Sequence, residues 1–145
     1  MDHLNYFGDC LKDLLADNGM SVKELSEKTK IRLSRLYDFL NKEHIPSLEN
    51  AIKIADVFRC PLDYLFGFVA DFTPQTFTVT GSVSENVKAA MDNSKMTRYQ
   101  IHKKTNIDES QLLRWYAGKQ TPSLVSLITL ATALDLSIDT LLGRK

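Results

Sequence analysis

Few residues in this chain are placed to do covalent or metal chemistry. His3, His44 and His102 stand far apart, with no i, i+4 pair and no cysteine beside them, so they lack the spacing of a zinc site. Cys10 and Cys60 form no C-x-x-C unit and read as small core residues of a reducing compartment, not as a disulfide or metal ligands. The sequence shows no nucleophile with a neighbouring base, no glycine-rich phosphate loop and no paired-carboxylate motif. A non-enzymatic protein without cofactor or metal is therefore expected.

What remains is the placing of charge. Lys and Arg number 18, Asp and Glu also 18, and the sum of zero neither advertises nucleic-acid binding nor excludes it, because affinity follows where charge lies. Residues 20 to 46 carry Lys23, Lys28, Lys30, Arg32, Arg35 and Lys42 against Glu24, Glu27, Asp38 and Glu43. Residues 96 to 122 carry Arg98, Lys103, Lys104, Arg114 and Lys119 against Asp108 and Glu109. Both segments are net positive.

The elements that must position these charges come in two copies. Sliding the sequence by 76 residues lays residues 7 to 67 on 83 to 143 without a gap. Met20 meets Met96, Thr29 meets Thr105, Ile31 meets Ile107, and Pro46-Ser47-Leu48 meets Pro122-Ser123-Leu124. About fifteen identities over some sixty positions, gathered at apolar and turn residues, predict one fold repeated.

Each copy reads as five short helices. Phe7, Leu11, Leu14 and Leu15 have the spacing of one buried helical face, echoed by Val83, Val87, Ala90 and Met91. A second helix begins at a capping box, Ser21-x-x-Glu24 or Thr97-x-x-Gln100, and ends at Lys30 or at Asn106, a residue that tolerates the left-handed turn. The third buries Leu36, Phe39 and Leu40, matched by Leu112, Trp115 and Tyr116. Ser47 and Ser123 cap the fourth, and the fifth starts at Pro61 or after Ser137.

The composition, 43% apolar and 25% charged, is that of a soluble globular protein. There is no run of 18 apolar residues, and "MDHLNYFGDC" lacks the basic start and apolar stretch of a signal peptide, so a cytoplasmic location without a membrane is expected.

Two stretches, "MSVKELSEKTKIRLSRLYDFLNKEHIPSLENAIKIADVFRCPLDYLFG" and "MTRYQIHKKTNIDESQLLRWYAGKQTPSLVSLITLATALDLSIDTLLG", carry a family likeness. With their capping box, Ile turn, Pro-Ser-Leu and Ala spacing, each resembles the phage Cro and lambda-type repressor family of helix-turn-helix proteins, also called xenobiotic-response-element-like. The resemblance implies an all-α chain of two tandem five-helix lambda-repressor-like domains, residues 5 to 67 and 83 to 143, joined by an extended connector at 68 to 82. It also implies that each third helix lies in the major groove of double-stranded DNA while the second crosses the backbone.

Carried over by position, the first copy's DNA-facing set is Arg32, Leu33, Ser34 and Asp38, with Arg35, Tyr37 and Lys42 nearby. Arg32 suits bidentate recognition of guanine or a phosphate, worth about 1 to 3 kcal/mol of discrimination at a base. Asp38 reads rather as a solvated or paired acid. The second copy offers Glu109, Ser110 and Arg114, flanked by Gln111, Lys119 and Gln120, with Arg98 in the place that touches phosphate. Asp108 is expected to form a capping box with Gln111. His102 stands where the family keeps a small residue, which predicts an altered angle between the second and third helices of that copy.

The stretch Thr76-Phe77-Thr78-Val79-Thr80 alternates with period two and is rich in strand formers, so it is expected to be extended. It would pack on a domain or pair with the same segment of a second chain. Fully extended, some fifteen residues reach roughly 50 Å, enough to span half-sites one turn of DNA apart.

Two functional readings stand at this point. One is a transcriptional regulator, a repressor by resemblance, that binds unlike half-sites through its two unlike third helices, with a homodimer through the connector or the fifth helix restoring symmetry. The other is a protein-interaction module, in which one or both domains hold a protein partner instead of DNA; Asp38 and Glu109 support it. A separate ligand-sensing domain is not expected, because the connector is too short to be one.

Overall fold

The computed structural model describes residues 2 to 145, and its regular elements among these residues are α-helices. Its contacts divide it into two compact units, one running to Thr76 and the other beginning at Phe77.

In the first unit, α1 (His3–Asp17) starts at Asp2, whose carboxylate accepts from the amides of Leu4 and Asn5. The unit continues through α2 (Val22–Thr29), α3 (Leu33–Leu40), α4 (Leu48–Phe58) and the single turn α5 (Leu62–Leu65). Pro61 is the N-cap of α5 and not its first helical residue. Apolar residues at helical spacing converge on one core: Phe7 packs edge-on against Phe39 and stacks on Phe66, with ring centroids 5.7 and 5.3 Å apart. Leu11, Leu25, Leu36, Ile54, Leu62 and Leu65 complete it, none of them accessible to solvent. Gly8 is the smallest residue of this core, and a Cβ there would lie 2.7 Å from the Phe39 carbonyl oxygen. Its lack of a side chain lets α1 press directly on the end of α3.

The second unit repeats the plan with α6 (Val83–Asn93), α7 (Arg98–Thr105), α8 (Glu109–Tyr116), α9 (Leu124–Leu134) and α10 (Ile138–Leu142). The helices pack in the same pairs: α1 with α3, α2 with α3 and α4, and α5 with α1 and α4 are matched by α6 with α8, α7 with α8 and α9, and α10 with α6 and α9. Val87, Ile101, Leu112, Leu127 and Leu141 are fully buried at its centre, and Trp115 nearly so. Truncating such a leucine to alanine typically costs about 2 to 5 kcal/mol, so either core tolerates few losses. Tyr116, at the place of the buried Leu40, is only half-buried.

The stretch between the helical parts divides between the units. Phe68 stacks on His3 with centroids 3.8 Å apart, Phe72 packs on Tyr64, and the Gln75 amide donates to the Arg59 carbonyl at 3.1 Å, all within the first unit. From Phe77 onward the chain belongs to the second. Thr78 and Lys145 exchange two backbone hydrogen bonds at 2.7 and 2.8 Å, and Thr80 donates to Gly143 at 2.7 Å. Between them Val79 faces Arg144 in an antiparallel bridge. Arg144 is buried beneath this pairing, its guanidinium 2.9 Å from Asp139 and 3.9 Å from the centre of the Phe77 ring. The alternating segment is thus extended because the unit's own last residues pair with it. The reach of roughly 50 Å needs all fifteen residues free, and these bonds hold several of them.

Candidate nucleic-acid interface

The turn that carries each third helix is built from hydrogen bonds that follow from its residue types. Thr29 donates its hydroxyl to the Leu25 carbonyl at 2.7 Å and accepts from the Ile31 amide, which closes the end of α2. Thr105 does the same with Ile101 and Ile107. Lys30 and Asn106 then adopt the left-handed conformation, each at φ 63° and ψ 18°. Only glycine, and to a degree Asn and Asp, visit this region cheaply, so Lys30 is held there against its preference. The next helix starts from Arg32 at φ −58°, ψ 140° and from Asp108 at φ −58°, ψ 139°.

Lys30 and Asn106, and likewise Arg32 and Asp108, therefore match within a degree, so the altered geometry expected from His102 is not seen at these turn residues. Ser26 donates its hydroxyl to the Ile31 carbonyl at 2.6 Å, and the His102 Nδ1 lies 2.7 Å from the equivalent Ile107 carbonyl. The ring is half-buried, and its Nδ1 takes the place of the serine hydroxyl at that carbonyl.

Two capping expectations also need correction. Thr97 and Gln100 form the full reciprocal box, whereas Ser21 accepts from the Glu24 amide and the exposed Glu24 side chain does not return the bond. Asp108 makes no cap bond at all. The turn fixes its ψ at 139°, about 20° short of the 159° and 160° at Ser21 and Thr97, and its intended partner is engaged elsewhere. Gln111 donates to Gln120 at 2.8 Å and accepts from the Arg114 guanidinium at 2.9 Å.

Because Leu36, Phe39 and Leu40 point inward, α3 presents Leu33, Ser34 and Tyr37 outward, with Arg32 exposed just before them. Leu33 and Tyr37, one helical turn apart, are 39% and 48% accessible. Arg32 neither caps the helix nor pairs with any described residue, so its five donors face solvent. Asp38 lies 3.9 Å from both the Arg35 guanidinium and the His44 Nε2, so Arg35 is partly neutralised. Lys42 is turned back to Asp9 at 2.8 Å, and that hydrogen bond holds the Asp9 carboxyl below its usual range.

On α8 the outward residues are Glu109, Ser110 and Leu113, with Arg114, Lys119 and Gln120 exposed beside them. Arg114, Gln111 and Gln120 form one hydrogen-bonded row. Arg98 is exposed in the first turn of α7 and pairs with no described residue. The structure adds three exposed residues of this unit to those expected at the site: Leu113, 46% exposed, Tyr99, 54% exposed, and Lys103, whose ammonium sits 5.5 Å from the Tyr99 ring centre. The 76-residue offset, which puts Leu113 on Tyr37 and Tyr99 on Lys23, was the signal that could have found the first two.

The arrangement offers donors, hydroxyls and apolar contacts on the exposed sides of two helices, the groups that phosphates and base edges require. Among the described residues no group of three His, Cys, Asp or Glu side chains could hold a metal, and no helix is long and apolar enough to cross a membrane.

Comparison with known families agrees with this fold. Residues 86–145 match the family described as Cro/C1-type HTH DNA-binding domain, and residues 11–65 match the family described as Helix-turn-helix. No curated protein and no solved structure matches the chain. Each match spans one structural unit and contains its paired second and third helices, so the chain belongs to the Cro/C1-type helix-turn-helix proteins and carries the motif twice in tandem.

Proposed function

We propose that this DNA-binding transcription regulator recognises specific double-stranded sequences by placing α3 and α8 in major grooves, and that it represses by occluding a promoter, with no catalysis of its own. The observation that carries the reading is Arg32: an exposed, unpaired guanidinium at the start of α3, beside the exposed Leu33, Ser34 and Tyr37. Arginine in that place binds guanine or phosphate in two-point fashion, Leu33 suits a thymine methyl, and Ser34 accepts either base class. Tyr37, Arg35 and Lys42 lie where the backbone of the duplex would pass. In the second unit Arg98, Lys119 and Gln120 are the phosphate-facing groups, while Ser110, Gln111 and Arg114 face the bases. The two faces differ, so the two half-sites of the operator differ too. A homodimer through residues 76 to 80 or the fifth helix would double the readers.

Glu109 favours a second reading for one unit. It is an exposed acid at the first position of α8, where Leu33 stands in α3, and it repels phosphate. In that reading the first unit binds DNA and the second holds a protein partner.

Selection of bound fragments from random duplex DNA at about 150 mM salt separates the two. Two unlike half-sites place both units on DNA, and a single half-site assigns α8 to a partner. No enriched sequence, with weak binding at every site, would overturn the regulator reading.

A further inference from the structure

A groove of about 340 Å³ opens in the second unit beside α8, walled by Met91 and Asp92 of α6, Met96 and Arg98 around the start of α7, and Leu113 and Tyr116 of α8. The repeat explains its origin. In the first unit the place of Tyr116 is held by Leu40, which is buried, and the places of Asp92 and Arg98 are held by Ala16 and Val22. Tyr116 is instead drawn sideways: its hydroxyl donates to Asp92 at 3.0 Å, and the Lys88 ammonium sits 5.3 Å from its ring centre. The ring that would close the groove is thereby held at its wall.

The lining has a definite chemistry. Met91, Met96 and Leu113 form an apolar wall, and methionine adapts to irregular shapes. Asp92 is committed to the tyrosine hydroxyl. Arg98 is the one lining cation and has no hydrogen-bond or ion-pair partner among the described residues. Pockets for small ligands begin at about 300 Å³ and combine mostly apolar walls with one or two polar groups that fix orientation. A guanidinium meets a carboxylate through two parallel hydrogen bonds. We infer that this groove binds a small apolar carboxylate, its anionic end on Arg98 and its hydrocarbon body against Met91, Met96 and Leu113. The site lies within the helix-turn-helix unit itself, so a ligand response needs no separate domain, and its occupancy is measured without DNA.

The test is methyl NMR on the full chain carrying ¹³C-methyl methionine. Of its four methionines two line the groove, while Met20 of the first unit and Met1 serve as internal controls. Phenylacetate and octanoate are titrated, with phenylacetamide as the uncharged counterpart. The expected result is saturable shifts of Met91 and Met96 alone, with half-saturation near or below about 1 mM for a molecule of this size. Phenylacetamide should bind about tenfold more weakly, and Arg98→Gln should reduce phenylacetate to that level without changing the amide. Arg98 is exposed, so the variant keeps its fold, which Trp115 fluorescence verifies. Absence of shifts up to about 10 mM, equal responses of all four methyls, equal binding of acid and amide, or indifference to Arg98→Gln would each overturn the assignment.

Discussion

The imidazole of His102 and the hydroxyl of Ser26 occupy equivalent positions and reach the same acceptor, the carbonyl five residues on, at 2.7 and 2.6 Å. A carbonyl only accepts, so Nδ1 of His102 carries the proton. His102→Ser should therefore leave the second unit within about 0.5 kcal/mol of its stability, whereas His102→Val, which strands the Ile107 carbonyl, should cost about 1 kcal/mol. Urea unfolding followed by the fluorescence of Trp115, the sole tryptophan, measures this unit alone.

Lys30 occupies the left-handed conformation that Asn106 occupies in the other copy. Lys30→Asn should stabilise the first unit by about 0.5 kcal/mol, part of the 1 to 2 kcal/mol that a side chain loses there. Hydrogen exchange of the α2 and α3 amides checks it; faster exchange would contradict the strain argument.

Gly143 and Gly19 both have positive φ, at 65° and 58°, but their surroundings differ. A Cβ at Gly19 meets nothing within 4 Å, and Gly19→Ala should cost about 1 kcal/mol from the backbone alone. A Cβ at Gly143 would overlap the Thr80 carbonyl and the Asn86 amide, so Gly143→Ala should cost roughly 2 to 4 kcal/mol and release residues 78 to 80. Urea midpoints and the exchange of the Thr78 and Thr80 amides report the two effects.

Arg144 is paired with Asp139 in the interior of the second unit. Arg144→Ala removes that partner from a buried carboxylate and the cation from the Phe77 ring, for an expected loss of about 3 to 5 kcal/mol in the Trp115 transition. A loss below about 1 kcal/mol would show that the pair is not buried in solution.

Burial pushes the Cys10 thiol up to about 12, with Asp13 adding to the effect. The folded thiol keeps its proton while the unfolded one ionises near 9, so stability should fall as pH rises from about 9 toward 12. Tyr6 and Tyr64, raised mainly by burial, act in the same direction. Cys10→Ala should flatten the slope of urea midpoint against pH, and the native thiol should resist alkylation at pH 8.

Arg32→Ala combined with Arg35→Ala should weaken binding to a selected operator and lower the slope of log affinity against log salt by about 0.9 for each phosphate that is no longer neutralised. The larger share should come from Arg32, since Arg35 is already paired with Asp38.

Short-range chemistry made much of this readable in advance. The paired helices, the helix ends at Lys30 and Asn106 and the caps at Ser47 and Ser123 depend on neighbours within a turn or two, and the 76-residue offset repeated each in duplicate, although the left-handed turn was legible only at Asn106. What escaped depends on distant partners. Lys42 looked like a free cation because Asp9 lies 33 residues away, and Gln111 looked like half of a capping box because Gln120 comes nine residues later. Leu113 is not legible locally, because an exposed leucine has no local signature. The period-two pattern around Val79 showed an extended segment, but no local pattern could name residues 143 to 145 as its mate.

That mating also sets how the second unit would yield to force. Thr78 and Lys145 pair directly, so the strands entering and leaving the unit lie side by side with their open ends together. A pull between residues 77 and 145 loads those hydrogen bonds one after another, as a zip is drawn, and not all at once in shear. The Thr78 pair parts first and the Thr80 bond next, which bares Arg144 while the helices behind it are still intact. The unit should open mechanically at low load from this corner, in a step separate from the rupture of its helical core.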